Sequence, residues 1–172
     1  MLYRKMILIF VYIKKIIIMD YLNLNEIGQN CPSALTQKPS KHLSHIYRFI
    51  PTTEVMDILG EQGWEPTQAV QTKTRKGYES SAPYKKHMIR FRNESHSNLS
   101  KEMGDTHPEI LLTNSHDGSS SFRFHVGLFR LVCSNGLVIA DKTFDSFRVM
   151  HKGFKKEDIL NIVTQTTEKI PM

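Results

Sequence analysis

The feature that most constrains the fold is the pair Asp117-Gly118, which separates two short stretches of strand-like sequence. Asp-Gly readily adopts the positive backbone dihedral angles of a two-residue hairpin turn. Residues 109–114 form a short apolar stretch before it, and apolar and polar residues alternate over residues 120–126 after it. A period of two places every second side chain on one face of a strand. The sequence therefore predicts an antiparallel β-hairpin closed by a tight turn.

A helix is predicted over residues 52–62, with Thr52 or Thr53 as the N-cap and Gly63 at the end. Residues 77–86 have the composition of a loop. Further strands are predicted over residues 64–75, 87–92, 137–140 and 147–150. Residues 128–133 are ambiguous between a strand and a helical turn, and residues 134–136 resemble a turn. A closing helix is predicted over residues 155–170. Helix, strands and helix in this order indicate an α+β fold. We expect an antiparallel sheet of about four to six strands with flanking helices in a single domain.

The chain divides by composition into three parts: residues 1–18, 19–46 and 47–172. Residues 1–18 are apolar and basic, and a second methionine follows directly. This pattern favours a mis-called start or a disordered leader. The alternatives are an interfacial helix and a true signal peptide or membrane span. Residues 19–46 are polar and turn-rich, and we expect a loosely ordered lead-in to the single domain. No later apolar stretch is long enough to span a membrane, so we expect a cytoplasmic protein with no membrane partner unless the leader is real.

Cations and aromatic residues are concentrated between residues 73 and 92, where Glu79 is the one acid. Single-stranded nucleic acid is bound by cations that neutralise phosphates and by aromatic rings that stack on bases. The alternative is a solvated surface that aids solubility. The candidate nucleic-acid-binding residues, including two that flank the hairpin, are Lys73, Arg75, Lys76, Tyr84, Lys85, Lys86, Arg90, Arg92, Arg123 and Arg130.

Other chemistry has little support in the sequence. The stretch SHDGSSSF is explained by turn formation, with a hydroxyl-rich lip that contacts phosphate oxygens as the alternative. The histidines lack zinc-ligand spacing, so we expect no metal site. Cys133 lies in an apolar run that disfavours its thiolate, and no serine elbow, Walker loop or GxGxxG sequence occurs. We therefore expect no catalytic residues, no cofactor and no enzymatic activity.

The stretches SHDGSSSF, GLFRLVCSNGLV and the aromatic-Arg sequence that follows, all within residues 108–152, form a long dense motif. Together with residues 47–66 and KKHMIRFR at 85–92, this motif resembles the phage/plasmid-like family designated domain of unknown function number 932. The resemblance covers about three-quarters of the chain and implies a cytoplasmic protein of mobile elements with no settled activity. Members typically extend further at the C-terminus, so a C-terminally truncated member is one interpretation.

Two functional hypotheses follow from these observations. The first is a non-enzymatic, mobile-element accessory protein that binds nucleic acid, most simply single-stranded DNA, through the cationic segment. The second is a protein-binding inhibitor or accessory module that acts on a host protein through an exposed apolar patch. Steep loss of binding with added salt would distinguish the first from the second.

Overall fold

A five-stranded antiparallel sheet organises the protein, and each strand pairs with the next one along the chain. The computed structural model describes residues 21–96, 106–131, 138–153 and 155–167. The helices and strands are α1 (Leu24–Asn30), α2 (Thr52–Glu61), β1 (Glu65–Gln71), β2 (His87–Arg92), β3 (Thr106–Asn114), β4 (Phe122–Leu131), β5 (Val138–Val149) and α3 (Lys156–Thr167), with short 3-10 helices at Pro32–Leu35, Glu79–Tyr84 and Glu94–His96. The predicted α+β class and strand number are confirmed.

One face of the sheet forms the core. Because side chains alternate along a strand, Ile89 and Phe91 of β2 lie on the same face as the residues that they oppose on β3, Leu112 and Ile110. All four are fully buried. Helices α2 and α3 complete this core by burying Val55, Leu59 and Val163. The second face of the sheet carries Arg90 of β2 together with the residue that it opposes on β3, Leu111.

Helix α2 confirms the helix predicted over residues 52–62, but the predicted N-cap, Thr52 or Thr53, is wrong. The N-cap position is taken by Pro51, and no side chain caps the helix. The Thr52 hydroxyl bonds instead to His87 Nε2 at 2.9 Å, because this face of the helix packs on the start of β2. Gly63 follows the helix with a φ of 79°, a left-handed conformation that glycine adopts without strain.

The predicted hairpin is formed by β3 and β4, in which Thr113 opposes Arg123. The prediction of a two-residue turn is wrong, because the connection between β3 and β4 runs from residue 115 to residue 121. The Ser115 hydroxyl closes this loop by accepting the N–H of Ser120 at 2.9 Å and donating to its carbonyl at 3.1 Å. Within the loop Gly118 has a φ of 75°, as the Asp-Gly pattern predicted.

Four strands differ in extent from their predictions. The strand before the hairpin, β3, begins at Thr106 rather than at residue 109. Strand β1 ends at Gln71 rather than at residue 75. The ambiguous residues after 128 continue β4 as far as Leu131. The two short strands predicted after the second turn belong to β5, which stays continuous through two register shifts beside Gly127. The turn at residues 134–136 and the last residues of the closing helix lie outside the described residues.

The segment predicted to be a loosely ordered lead-in contains regular structure. Asn23 and Glu26 form a reciprocal capping box that begins α1. Ile27, Cys31 and Ala34 of this segment are fully buried in the core. The turn-forming residues of this segment cap short helices. Such helices are stabilised by packing on the core rather than by the helix propensity of their residues. Residues 1–18, for which a mis-called start or a leader is predicted, lie outside the described residues. Within the described part no helix has the length and apolarity needed to cross a membrane.

Candidate anion-binding site

Three connections meet at one end of the sheet, which we call the loop end: the β1–β2 connection (residues 72–86), the β3–β4 connection (residues 115–121) and the chain after β5. The N–H of His116 donates to the Tyr84 carbonyl at 2.9 Å and joins the first two. Phe122 opposes Val149, which brings the end of β5 to the same place. The loop end therefore collects residues that are far apart in sequence.

Two of the predicted nucleic-acid-binding residues, Arg90 and Arg92, share one carboxylate on another part of the sheet. Arg90 is buried and donates to both oxygens of Glu109, with its Nε 2.9 Å from Oε2, and Arg92 Nε lies 2.6 Å from Oε1 of the same carboxylate. Arg90 also donates to Gln68. These two cations, which the charge pattern assigned to a binding surface, instead form a buried network on the second face of the sheet. Glu109 is too distant in sequence for the local charge count to include it.

A pocket of about 510 Å³ opens at the loop end. Its walls carry four basic side chains, and its described lining contains no Asp or Glu. The polar lining consists of the basic residues Lys86, Arg123, Arg148 and Lys152, the serines Ser44, Ser119, Ser120 and Ser121, and Tyr47 and His151. Cations and hydroxyl donors without a carboxylate make a site for anions rather than for cations or neutral ligands.

Two arginines converge inside this pocket on one hydroxyl. Arg123 and Arg148 are directly opposite on β4 and β5. The Nε of Arg148 donates to Ser121 Oγ at 2.8 Å, and the Nε of Arg123 approaches the same oxygen at 3.4 Å. Like charges directly opposite on neighbouring strands repel, and among the described residues no carboxylate forms a salt bridge with either one. An anion bound between them would remove this repulsion.

The other candidate residues fall into two groups. At the loop end, Lys85 lies 3.9 Å from Asp117, whereas Lys73, Arg75 and Lys76 are exposed on the β1–β2 connection. Tyr84 is half-buried there, and the nearby Tyr78 is 61% exposed. Arg130 is exposed at the opposite end of the sheet, opposite Thr106 of β3. The structure thus brings Lys85, Lys86 and Arg123 together and separates Arg90, Arg92 and Arg130 from them.

Three buried histidines, His87, His116 and His151, lie at the loop end. His151 lines the pocket and stacks on Tyr47, with ring centroids 4.7 Å apart. The ring of His116 is fully buried and lies 5.1 Å from that of His87. Burial lowers the pKa of His87 to about 4. Burial and, secondarily, the neighbouring His87 and His151 lower the pKa of His116 to about 3. The cluster is therefore neutral at physiological pH.

The hydrogen bonds of His87 define its tautomer. The Lys85 carbonyl can only accept, so His87 Nδ1, at 3.0 Å, carries the proton. His87 Nε2 then accepts from the Thr52 hydroxyl, which in turn accepts from Asn114 Nδ2 at 3.1 Å. Both nitrogens of His87 are occupied, and among the described residues no group of His, Cys, Asp or Glu side chains is arranged to hold a metal ion.

Sequence reasoning missed Arg148, Lys152 and the convergence on Ser121. The stretch SHDGSSSF carried part of the signal, because its alternative interpretation was a hydroxyl-rich lip for phosphate. Arg148 reaches the Ser121 hydroxyl because β4 and β5 pair in a register that places Arg148 opposite Arg123. No local sequence pattern predicts this register.

The fold and pocket define the protein as an antiparallel α+β domain with a cationic pocket at one end of its sheet. The chain belongs to the family described as Domain of unknown function (DUF932), whose profile matches residues 40–170. The resemblance found in the sequence is thus confirmed. Similar proteins are the UPF0380 proteins YafZ and YfjQ of Escherichia coli (strain K12), which are 39% and 38% identical to this chain over 132 residues. The match covers 77% of this chain and 45% of each relative, so the chain spans less than half of their length. No solved structure shows a significant match.

Proposed function

We propose that this protein is a non-enzymatic, cytoplasmic accessory protein of mobile elements that binds single-stranded nucleic acid at the loop end of its sheet. The observation that carries the proposal is the pocket in which Lys86, Arg123, Arg148 and Lys152 meet serine hydroxyls and in whose described lining there is no carboxylate. Phosphate groups fit this arrangement, because they are anionic and accept several hydrogen bonds at once.

The β1–β2 connection extends this surface beyond the pocket. Lys86 lines the pocket, and the same connection exposes Arg75, Lys76 and Tyr78. A strand whose phosphate lies in the pocket would meet further cations and an exposed aromatic ring along this connection. Base stacking on such a ring contributes about 1–3 kcal/mol and requires unpaired bases, which favours single strands over duplexes.

The test is fluorescence anisotropy of labelled single-stranded and duplex DNA of equal length, titrated with the full chain at low and physiological salt. We expect the single strand to bind more tightly and its affinity to fall as salt is added. The variant Tyr78→Ala is expected to weaken single-strand binding by about five-fold or more and to leave duplex binding little changed. Absence of binding to either DNA at low salt would contradict the proposal.

A protein partner from the host is the competing proposal. Ile46 and Met150 are 53% and 56% exposed and lie together at the pocket rim, which provides a small apolar surface. This alternative would be favoured if the protein captured one defined host protein. That capture would be lost in the double variant Ile46→Ser with Met150→Ser and retained in Arg148→Gln. Retention of DNA binding in the apolar double variant would favour the nucleic-acid proposal.

A further inference from the structure

We infer that the pocket takes a terminal phosphate monoester of a nucleic-acid strand, rather than an internal phosphodiester, between Arg123 and Arg148. This inference rests on the proposed function and specifies the group that its central site binds. These two arginines and Ser121 present the donor groups that such a phosphate requires.

The Ser121 hydroxyl has one donor and two acceptor positions. Both acceptor positions face guanidinium Nε–H groups, from Arg148 at 2.8 Å and from Arg123 at 3.4 Å. Its hydrogen is therefore left to donate. Ser121 is 9% exposed, so this hydroxyl is held in position while remaining at the pocket wall.

The two guanidinium groups use only their Nε atoms in this arrangement. Within the described residues no hydrogen bond engages the terminal nitrogens of Arg123 or Arg148. Each guanidinium group thus retains donors in the planar fork that matches phosphate oxygens. The shared hydroxyl orients both forks before any ligand arrives, which reduces the entropic cost of binding.

The number of donors and charges exceeds what a phosphodiester can use. An internal phosphodiester has two charged oxygens that share one negative charge. A terminal monoester has three such oxygens and a charge of about −1.5 to −2 near neutral pH. Two guanidinium groups, the Ser121 hydroxyl and the ammonium groups of Lys86 and Lys152 line the same pocket. A monoester matches this set in both charge and acceptor number.

The test compares three single-stranded DNAs of one sequence, with a 5′-phosphate, with a 3′-phosphate and with hydroxyls at both ends, each labelled internally. We expect one of the terminal phosphates to tighten binding by about ten-fold relative to the hydroxyl-ended strand. Arg148→Gln is expected to abolish that difference. Arg130→Gln, which removes one positive charge at the opposite end of the sheet, is expected to preserve it. Circular dichroism and thermal unfolding of each variant monitor the fold.

The outcomes separate the two proposals. Equal binding of all three strands would overturn the monoester inference and leave single-strand binding in place. Failure of all three strands to bind would overturn both. Calorimetry with inorganic phosphate is a further test. If phosphate binds to the wild type but not to Arg148→Gln, and no DNA binds, the pocket is a site for small phosphates. That result would overturn the proposal that its ligand is the terminus of a nucleic-acid strand.

Discussion

Arg90 and Glu109 form a buried ion pair between neighbouring strands, in which the guanidinium group of Arg90 donates to both carboxylate oxygens. The Arg90 and Glu109 side chains are 4% and 0% exposed. Arg92 donates to the same carboxylate, so one buried anion serves two cations. Removing the anion would therefore leave two positive charges side by side, one of them buried.

We predict that Glu109→Gln lowers the free energy of unfolding by about 3 kcal/mol, because breaking a buried pair leaves an uncompensated charge. Urea denaturation measures this change. The matched control is Glu61→Gln on the exposed surface of α2, which should change stability by less than about 0.5 kcal/mol. Equal effects of the two substitutions would show that the Glu109 network contributes nothing specific.

The same residues show how far the sequence predicts the fold and where it stops. Alternation over residues 87–92 predicts β2 correctly, because Ile89 and Phe91 need one buried face. The Asp117-Gly118 pair predicts a reversal of the chain, because glycine tolerates a positive φ. Pairings between strands are not local: Arg90 meets Glu109, and Arg123 opposes Arg148, only after the register is formed. The charge pattern therefore located a basic region but could not predict that Arg90 and Arg92 contact Glu109.

Stability should fall between pH 8 and pH 5 because of the buried histidines. The folded pKa values of His87 and His116, about 4 and about 3, lie below the ordinary value of 6.5. Below pH 6.5 the unfolded chain binds protons that the folded chain cannot, so folding becomes less favourable as the pH falls. The loss at pH 5 is about 2 kcal/mol for each histidine.

Urea denaturation at the two pH values measures this dependence. The variant His116→Phe removes one of the buried histidines whose pKa is lowered and places an apolar ring beside Phe49, which already packs on His116. We expect the variant to lose about 2 kcal/mol less stability than the wild type between pH 8 and pH 5. A wild-type protein equally stable at both pH values would contradict the burial of these rings as neutral groups.

The Thr52 hydroxyl joins α2 to the sheet, because it donates to His87 and accepts from Asn114. We predict that Thr52→Val lowers the free energy of unfolding by about 1–3 kcal/mol, since His87 Nε2 loses its donor in a buried site. Thr53→Val is the control, because the Thr53 hydroxyl bonds only to the exposed Gln37 among the described residues. Thermal unfolding that ranks the two variants in the opposite order would refute this role for Thr52.

Gly127 allows β4 and β5 to approach each other. A Cβ at this position would collide with the backbone carbonyl of Lys142. We predict that Gly127→Ala destabilises the protein by at least about 2 kcal/mol, because the backbone must shift to accommodate the methyl group. Gly60→Ala on α2 is the control. Beyond its chain neighbours and the backbone of its own helix, no described atom lies within 4 Å of its Cβ position, and helix propensity favours alanine by up to about 1 kcal/mol. Similar stabilities of the two alanine variants would disprove the close approach.

The measurement that tests nucleic-acid binding at the pocket most directly is the salt dependence of single-stranded DNA affinity for the wild type and for Arg123→Gln with Arg148→Gln. Each phosphate contact contributes about −0.7 to the slope of log affinity against log salt for single strands. We predict a slope whose magnitude falls by about 0.7 to 1.4 in the double variant, together with weaker binding at low salt. An unchanged slope and affinity in the double variant would show that the pocket does not bind phosphate.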